Sequence, residues 1–263
     1  MLAGLCLAGG AGALPRHAPV PGGVAVVDLG PAPAAPKARL GQRSLAVVEE
    51  RGRWYALLGI PLDAVPGSRE IAAALAGGER RLTVAVAAKD YPTQRLTIRD
   101  RRKVEPNADD LARIEREKAV TEAIKASFSP AEPETAFVLP AAGPLSSRFG
   151  LKRLFNGLPR NPHAGLDVAV GSGAPVRAPA PGRVAEVGDF FFNGHTVFVD
   201  HGQGLITAYM HLSRIDVRPG QVVGRGERLG AAGASGRVTG PHLHWAVILN
   251  GAAVDPELFL PLP

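Results

Sequence analysis

Cysteine is almost absent from this sequence of 263 residues, and the single one, Cys6, lies at the very start of the chain. A folded region without further cysteines can form neither an internal disulfide nor a zinc site built from thiolates. Any metal bound by the rest of the chain must therefore be held by imidazole and carboxylate groups.

Long apolar runs are lacking as well, and no stretch beyond the first residues is long enough to span a bilayer. Residues 1–14 are small and apolar, like the latter half of a secretory signal, although they lack its basic start. We therefore predict a leader or truncated signal segment over residues 1–19. The expected protein is exported and periplasmic, without stable membrane insertion beyond that leader.

Nucleic-acid motifs are missing too, although the chain is basic. The net charge is +6, and the excess lies mainly before Pro130, with +5 against +1 after it. Such a balance favours an anionic partner, for example an acidic cell-wall polymer or an anionic lipid, or it is simply a basic solvated surface. Because no aromatic-studded basic stripe accompanies the charge, we predict no nucleic-acid partner.

Turn-forming residues are abundant, with 32 glycines and 24 prolines, whereas aromatic residues make up 5% of the chain. This composition favours short strands joined by many turns and argues against a helical bundle. We predict a mainly β protein in three parts. A small β-sandwich-like domain covers residues 20–103, a helix and linker cover 104–136, and a compact antiparallel β domain covers 137–263.

Several segments carry these element predictions. Alternating or β-branched runs indicate strands at 24–29, 44–48, 54–60, 81–86 and 94–98, separated by turn clusters such as 66–68. Asn107 can cap a helix that runs to Phe128, with an apolar stripe of Leu111, Ile114, Val120, Ile124 and Phe128. Residues 196–200 and 205–210 flank a turn and predict a hairpin that brings His211 to the end of a strand.

Histidines near the end of the chain carry the functional signal. In residues 240–245 the spacing His-x-His places His242 and His244 on one face of a strand, roughly 6.5–7 Å apart. Both could bind one metal, one could bind while the other moves protons, or both could belong to an ordinary polar strand face. Upstream, His163, Asp167 and His211 supply two more imidazoles and a carboxylate.

A catalytic zinc takes three protein ligands and leaves a fourth position for water. His163, Asp167 and His244 would supply two nitrogens and one oxygen. The remaining pair, His211 and His242, could then take the proton from the attacking water and stabilise the tetrahedral species or the leaving amine. The sequence alone leaves open which of the two performs which step. His201, in the predicted hairpin turn, is expected to be structural.

These motifs resemble those of the M23 (LytM/lysostaphin-type) family of peptidoglycan-cleaving zinc metallopeptidases. The family's H-x-x-x-D corresponds to residues 163–167 and its H-x-H to 242–244, with a further histidine at His211. Segments 147–150, 200–202 and 233–241 match as well, so the resemblance covers about residues 137–260. The region before it is similar to the β-rich N-terminal domain of some Gram-negative members.

The resemblance implies a metallopeptidase domain with an open groove over residues 137–263. It also implies Zn²⁺ on His163, Asp167 and His244, and a catalytic pair formed by His211 and His242. The implied activity is hydrolysis of peptide cross-links between peptidoglycan stem peptides, of the D,D type. The alternative is a non-catalytic wall-binding protein that activates another cell-wall hydrolase.

Overall fold

A computed structural model describes residues 14–262 of the chain. Its first part consists of short strands connected by tight turns. These strands are β1 (Val24–Gly30), β2 (Lys37–Leu40), β3 (Arg43–Ser44), β4 (Ala46–Glu50), β5 (Arg53–Gly59), β6 (Gly67–Leu75), β7 (Gly78–Val86) and β8 (Thr93–Leu96).

Two antiparallel sheets form a sandwich in this part, as the sequence predicts. One sheet has the order β1-β5-β4 and the other β3-β2-β6-β7. Alternate side chains such as Val47, Leu58, Ile71 and Val84 are buried in one apolar cluster between them, as expected for strands with one face turned to a core. Strands β2 and β6 were not predicted from the sequence, and residues 66–68, where β6 begins, were interpreted as a turn.

The second part begins with helix α1 (Ala108–Ala126) and continues with strands through to a final 3-10 turn at Pro256–Phe259. The strands are β9 (Leu145–Ser147), β10 (Lys152–Phe155), β11 (Leu158–Arg160), β12 (Leu166–Val168), β13 (Pro175–Arg177), β14 (Gly182–Phe190), β15 (Gly194–Gly202), β16 (Leu205–Ile215), β17 (Val222–Val223), β18 (Arg228–Ala232), β19 (Leu243–Leu249) and β20 (Ala252–Val254).

A large antiparallel sheet with the order β17-β14-β15-β16-β19-β12-β9 carries this second part. The predicted hairpin is β15 and β16, and the mainly β architecture predicted from the sequence is confirmed. One face of the sheet packs on a core that contains Val197, Tyr209 and Trp245 together with Val24 and Leu57 of the first part. The approach is close, because a Cβ built on Gly59 would lie 2.4 Å from the Leu249 carbonyl oxygen.

Strand β8 does not belong to the sandwich, although the sequence analysis placed residues 94–98 there. It pairs in parallel with β10, with Arg95 opposite Leu154, and β10 pairs with β11 in turn. Alternation over a few residues cannot show which sheet a strand will join, because the partner strand lies far away in the chain.

Helix α1 begins at the predicted cap, since Asn107 and Asp110 form a reciprocal capping box. The predicted apolar stripe is right only in part: Leu111 and Val120 are 55% and 42% exposed, whereas Ile124 packs against an apolar cluster of the large sheet. The helix also docks through polar contacts, as Arg113 donates to the Asp189 carbonyl at 2.7 Å and Glu117 accepts from the Phe191 backbone N–H at 2.7 Å. No helix within residues 14–262 is long and apolar enough to cross a membrane.

The described end of the predicted leader, residues 14–19, lies against the C-terminal segment. The Arg16 backbone N–H donates to the Leu258 carbonyl at 2.8 Å, and its side chain reaches the Leu260 carbonyl at 3.1 Å. The rest of the predicted leader, residues 1–13 with Cys6, lies outside the described residues.

His201 is buried at the end of β15, as the structural role predicted for it requires. Its Nδ1 lies 2.7 Å from the Pro181 carbonyl oxygen and its Nε2 lies 2.8 Å from Thr207 Oγ1. Burial lowers the pKa of His201 to about 4, so the ring stays neutral in the fold at neutral pH.

Acidification should therefore weaken the fold through His201. An unfolded histidine has a pKa near 6.5. Between about pH 6.5 and pH 4, His201 is therefore protonated in the unfolded chain but neutral in the folded one. The free energy of unfolding should fall as pH falls through this window. We expect His201→Asn to lower stability and to remove about one proton from the pH dependence measured by urea unfolding.

Thr196, which is buried in the same strand but carries no titratable group, is the matched control, since Thr196→Val should leave the pH dependence unchanged. If the free energy of unfolding of His201→Asn and of the unmodified chain had the same slope against pH, His201 would not be the group that causes the pH dependence.

Candidate metal centre

Two neighbouring strands place the carboxylate and one imidazole of the site face to face. Strands β12 and β19 run antiparallel, with Asp167 directly opposite His244. Directly opposed residues of an antiparallel pair point to the same side of the sheet. His163 lies four residues before Asp167, and its backbone N–H and carbonyl are fixed by hydrogen bonds to Leu151 and Gly150 at 2.9 and 2.8 Å.

Three side-chain atoms from these residues meet at one point. His163 Nε2 lies 2.9 Å from Asp167 Oδ1 and 3.0 Å from His244 Nδ1, and His244 Nδ1 lies 2.8 Å from Asp167 Oδ1. All three residues are buried, with His163 only 1% exposed. The group has the size and composition of a metal-binding cluster.

The protonation of these groups favours a cation at the meeting point. His163 Nδ1 lies 2.7 Å from the Arg148 carbonyl oxygen, so Nδ1 carries the hydrogen and Nε2 presents its lone pair. Burial raises the pKa of Asp167, but the contacts with His163 and His244 outweigh it and hold that pKa far below its usual range. Burial lowers the pKa of His244 to about 4.

The meeting point is therefore lined by a carboxylate oxygen and two imidazole nitrogens. Three such acceptor atoms that converge within 3.0 Å of one another repel unless a shared proton or a metal cation lies between them. Two nitrogens and one oxygen are a donor set that suits a divalent transition metal. The residues present thus fit a metal ion.

His211 stands beside this cluster at an irregular point of β16. Its backbone has φ = 62°, a conformation that costs free energy for a residue with a side chain. The strand changes neighbours there, since Met210 pairs with His244 on β19 and Leu212 pairs with Ala232 on β18. The irregular backbone aims the ring at the site, with its centroid 5.9 Å from that of His244.

His211 and His242 share one orientation of their hydrogens. His211 Nδ1 lies 2.9 Å from the Ser235 carbonyl oxygen, and His242 Nδ1 lies 2.9 Å from the Gly240 carbonyl oxygen. Each Nδ1 is therefore the donor, and each Nε2 is left with a free lone pair. Burial, with help from His244 and His242, lowers the pKa of His211 to about 3.

The structure thus brings together all five residues singled out by the sequence. His211 and His242 lie side by side, with ring centroids 4.9 Å apart. His242 Nε2 is 3.8 Å from Asp167 Oδ1, and neither ring belongs to the tight group formed by His163, Asp167 and His244. The five side chains therefore fall into a group of three and an adjacent pair.

Sequence reasoning missed three residues that shape the site. Arg153 places Nη2 3.3 Å from Asp167 Oδ2, Ser147 places Oγ 3.3 Å from His163 Nδ1, and Gly165 packs against the His244 ring. Ser147 and Gly165 lie inside the matching segments 147–150 and 163–167, although no role was predicted for either. Arg153 lies outside every recognised segment.

Comparison with known proteins identifies the family. Residues 161–256 match the family model described as peptidase family M23, and residues 17–89 match the M23 N-terminal domain. A crystal structure from Pseudomonas aeruginosa, described as a candidate M23 peptidase, is 46% identical, with a TM-score of 0.77 over 92% of this chain and 94% of that one. This chain belongs to peptidase family M23. The resemblance seen in the sequence is confirmed.

Curated relatives match less than half of this M23 chain. The peptidoglycan DD-endopeptidase ShyA of Vibrio cholerae is 42% identical over 112 residues, which is 42% of this chain and 26% of ShyA. The DD-carboxypeptidase/endopeptidase Mpg of Neisseria meningitidis is 42% identical over 102 residues, 38% of this chain and 24% of Mpg. The chain therefore spans about a quarter of the length of these relatives.

Gly165 offers a test of the cluster that changes no ligand. A Cβ at this position would lie 2.6 Å from His244 Nε2 and 2.6 Å from the Trp245 carbonyl oxygen. Gly165→Ala should therefore displace the His244 ring and weaken metal binding by about tenfold or more. Titration of the metal-free protein with Zn²⁺, followed by calorimetry, measures the change.

Gly171→Ala is the matched control, because a Cβ there meets no atom within 4 Å. It should bind Zn²⁺ like the unmodified protein. Equal affinities for the two alanine variants would show that the His244 position does not govern metal binding.

Proposed function

We propose that this M23 protein is a zinc metalloendopeptidase that hydrolyses D,D-type peptide cross-links of bacterial peptidoglycan. The observation that carries the proposal is the convergence of His163, Asp167 and His244 on one point, with two further imidazoles held beside it. The names of the curated relatives support the substrate class, since they describe DD-endopeptidases of peptidoglycan.

Zinc is the metal that best suits this donor set. Catalytic zinc sites commonly combine imidazole and carboxylate ligands and leave one position open, and His163, Asp167 and His244 would provide that set. When bound, zinc would polarise the scissile carbonyl and make an attacking water more acidic. The protein's own contribution is to hold the ligands, and the Arg148 carbonyl fixes the tautomer of His163 for that purpose.

We assign proton transfer to His211 and His242. Each ring is oriented by a backbone carbonyl at Nδ1, so each Nε2 is the atom that accepts a proton. One Nε2 would take the proton from the attacking water, and the other would stabilise the tetrahedral species or protonate the leaving amine. The low pKa of His211 keeps that ring neutral, and therefore able to accept a proton, at neutral pH.

The substrate assignment implies that the protein works outside the cytoplasm, and we propose the periplasm. An excess of positive charge, +6 over the chain, favours association with an anionic wall polymer. The alternative of a non-catalytic activator has no observation in its favour, because none of the five site residues is replaced or displaced.

Digestion of purified sacculi tests the proposed function. After treatment with zinc-loaded protein and then with a muramidase, mass spectrometry should find more uncross-linked muropeptides and fewer cross-linked dimers. A chelator should stop the reaction and added zinc should restore it. Binding to sacculi without any loss of dimers would favour the activator instead.

Substitutions should separate metal binding from proton transfer. His163→Ala and Asp167→Ala remove a ligand, so both bound zinc and hydrolysis should be lost. His211→Ala should keep about one zinc per chain, while kcat falls by about 10²–10⁴-fold, the usual contribution of a general acid or base. Zinc content by atomic emission and turnover on isolated dimers provide the two readouts. Full activity of His211→Ala would overturn its assigned role.

A further inference from the structure

Three arginines gather beside the metal centre with few negative charges to balance them. Arg153 and Arg160 are directly opposite each other on the antiparallel strands β10 and β11. Like charges in such a pair destabilise a sheet. Arg237, in the segment between β18 and β19, shares an aromatic ring with Arg153, since the Phe155 centroid lies 4.8 Å from Arg237 Cζ and 5.8 Å from Arg153 Cζ. We call Arg153, Arg160 and Arg237 the arginine cluster.

Arg237 is held rigidly and has no acidic partner. Its guanidinium Cζ lies 4.2 Å from the centroid of the Phe192 ring and 4.8 Å from that of Phe155. Its backbone N–H donates to the Phe192 carbonyl at 2.8 Å. Stacking between aromatic rings orients the planar donor fork. Among residues 14–262, no carboxylate forms an ion pair with Arg237 or Arg160, and the Arg160 guanidinium donates instead to the Pro159 and Val104 carbonyls at 2.8 and 3.0 Å.

Arg153 links the cluster to the site. Its only ion-pair partner within the described chain is Asp167, at 3.3 Å between Nη2 and Oδ2. Its buried Nε has no hydrogen-bond partner. The Arg153 side chain is only 17% exposed, and burial lowers the pKa of Arg237 to about 10, so both charges are poorly solvated. A bound metal would also interact with the Asp167 carboxylate, so less negative charge would remain to balance the three arginines.

An anion of the substrate would relieve this accumulation of charge. Arg153 contacts Asp167 and lies beside both Arg160 and Arg237, so an anion held by the cluster would lie near the metal centre. The guanidinium fork binds carboxylates with two parallel hydrogen bonds. The only anionic groups of a peptide cross-link are its carboxylates. The group that the arginine cluster would bind is therefore a carboxylate.

We propose that the arginine cluster is a specificity subsite that binds a free carboxylate of the substrate peptide within a residue or two of the scissile bond. This proposal rests on the proposed function. Arg160 and Arg237, which lack acidic partners, contact the carboxylate. Arg153 positions Asp167 and adds to the positive field. Peptides with an amide in place of that carboxylate are poorer ligands and poorer substrates.

Binding of an acid and amide pair tests the subsite without turnover. Two fluorescent cross-linked peptides are used, identical except that the carboxylate adjacent to the cross-link bond is free in one and amidated in the other. Zinc-loaded His211→Ala protein serves as the background, so that neither peptide is consumed. We expect the acid to bind about tenfold more tightly than the amide, a typical effect of one charge-assisted contact.

Substitutions then locate the preference. Arg160→Gln and Arg237→Gln on this background should each reduce the acid-to-amide ratio towards one, while amide binding changes little. Arg237→Lys should keep part of the ratio, since it retains the charge but loses the fork. Arg218→Gln, in the exposed loop after β16, is the matched control and should keep the full ratio. Zinc content should be the same throughout.

The outcomes separate the subsite from the proposed function. Equal binding of acid and amide, no binding of either, or a ratio unchanged by Arg237→Gln would overturn the subsite. If Arg237→Gln weakened the binding of both peptides equally, the subsite would also be overturned, and Arg237 would have only a structural role. If the acid binds preferentially but wild-type protein cleaves neither peptide, the subsite stands and the endopeptidase assignment fails. Cleavage of both peptides at equal kcat/KM, with equal binding, would instead support the endopeptidase and overturn the subsite.

Discussion

The register between β12 and β19 is the constraint on which the site depends. Asp167 and His244 face each other across this pair, and a slip by one residue would turn one of them to the opposite face of the sheet. The register is secured from the other side by the core, where Leu166, Leu243 and Trp245 are fully buried. Apolar alternation therefore positions the polar residues. The pattern that buries Trp245 is also the one that presents His244.

Backbone carbonyls fix the orientation of the histidine rings that the strands bring together. Arg148, Ser235 and Gly240 each accept a hydrogen bond from the Nδ1 of one histidine. These contacts decide which nitrogen of each ring can bind a metal or a proton. They require local departures from regular structure, of which the positive φ of His211 is the clearest. Strain at such a position persists only where surrounding packing holds it, and His211 lies between two strands that anchor β16.

The sequence was a good guide where a pattern is local. Alternation identified the longer strands, such as β1, β5, β7 and the β15–β16 hairpin. The His-x-His spacing placed His242 and His244 on one side, and Asn107 marked the start of α1. It failed where the partner is distant in the chain. The pairing of β8 with β10 depends on residues far apart, and α1 docks through Arg113 and Glu117 on backbone groups of another element. Polar contacts of this kind produce no periodic pattern in the sequence from which the docking face of the helix could be predicted. Arg153 escaped notice for the same reason, because its importance comes from lying next to Asp167.

Anomalous diffraction from zinc-loaded crystals is the most direct measurement of the central assignment. Data on either side of the zinc absorption edge locate the ion independently of its ligands. We expect one peak per chain, between His163 Nε2, Asp167 Oδ1 and His244 Nδ1, with His211 and His242 outside the coordination shell. A peak ligated by His211 or His242, or one that leaves Asp167 unbound, would contradict the division into three ligands and a proton-transfer pair.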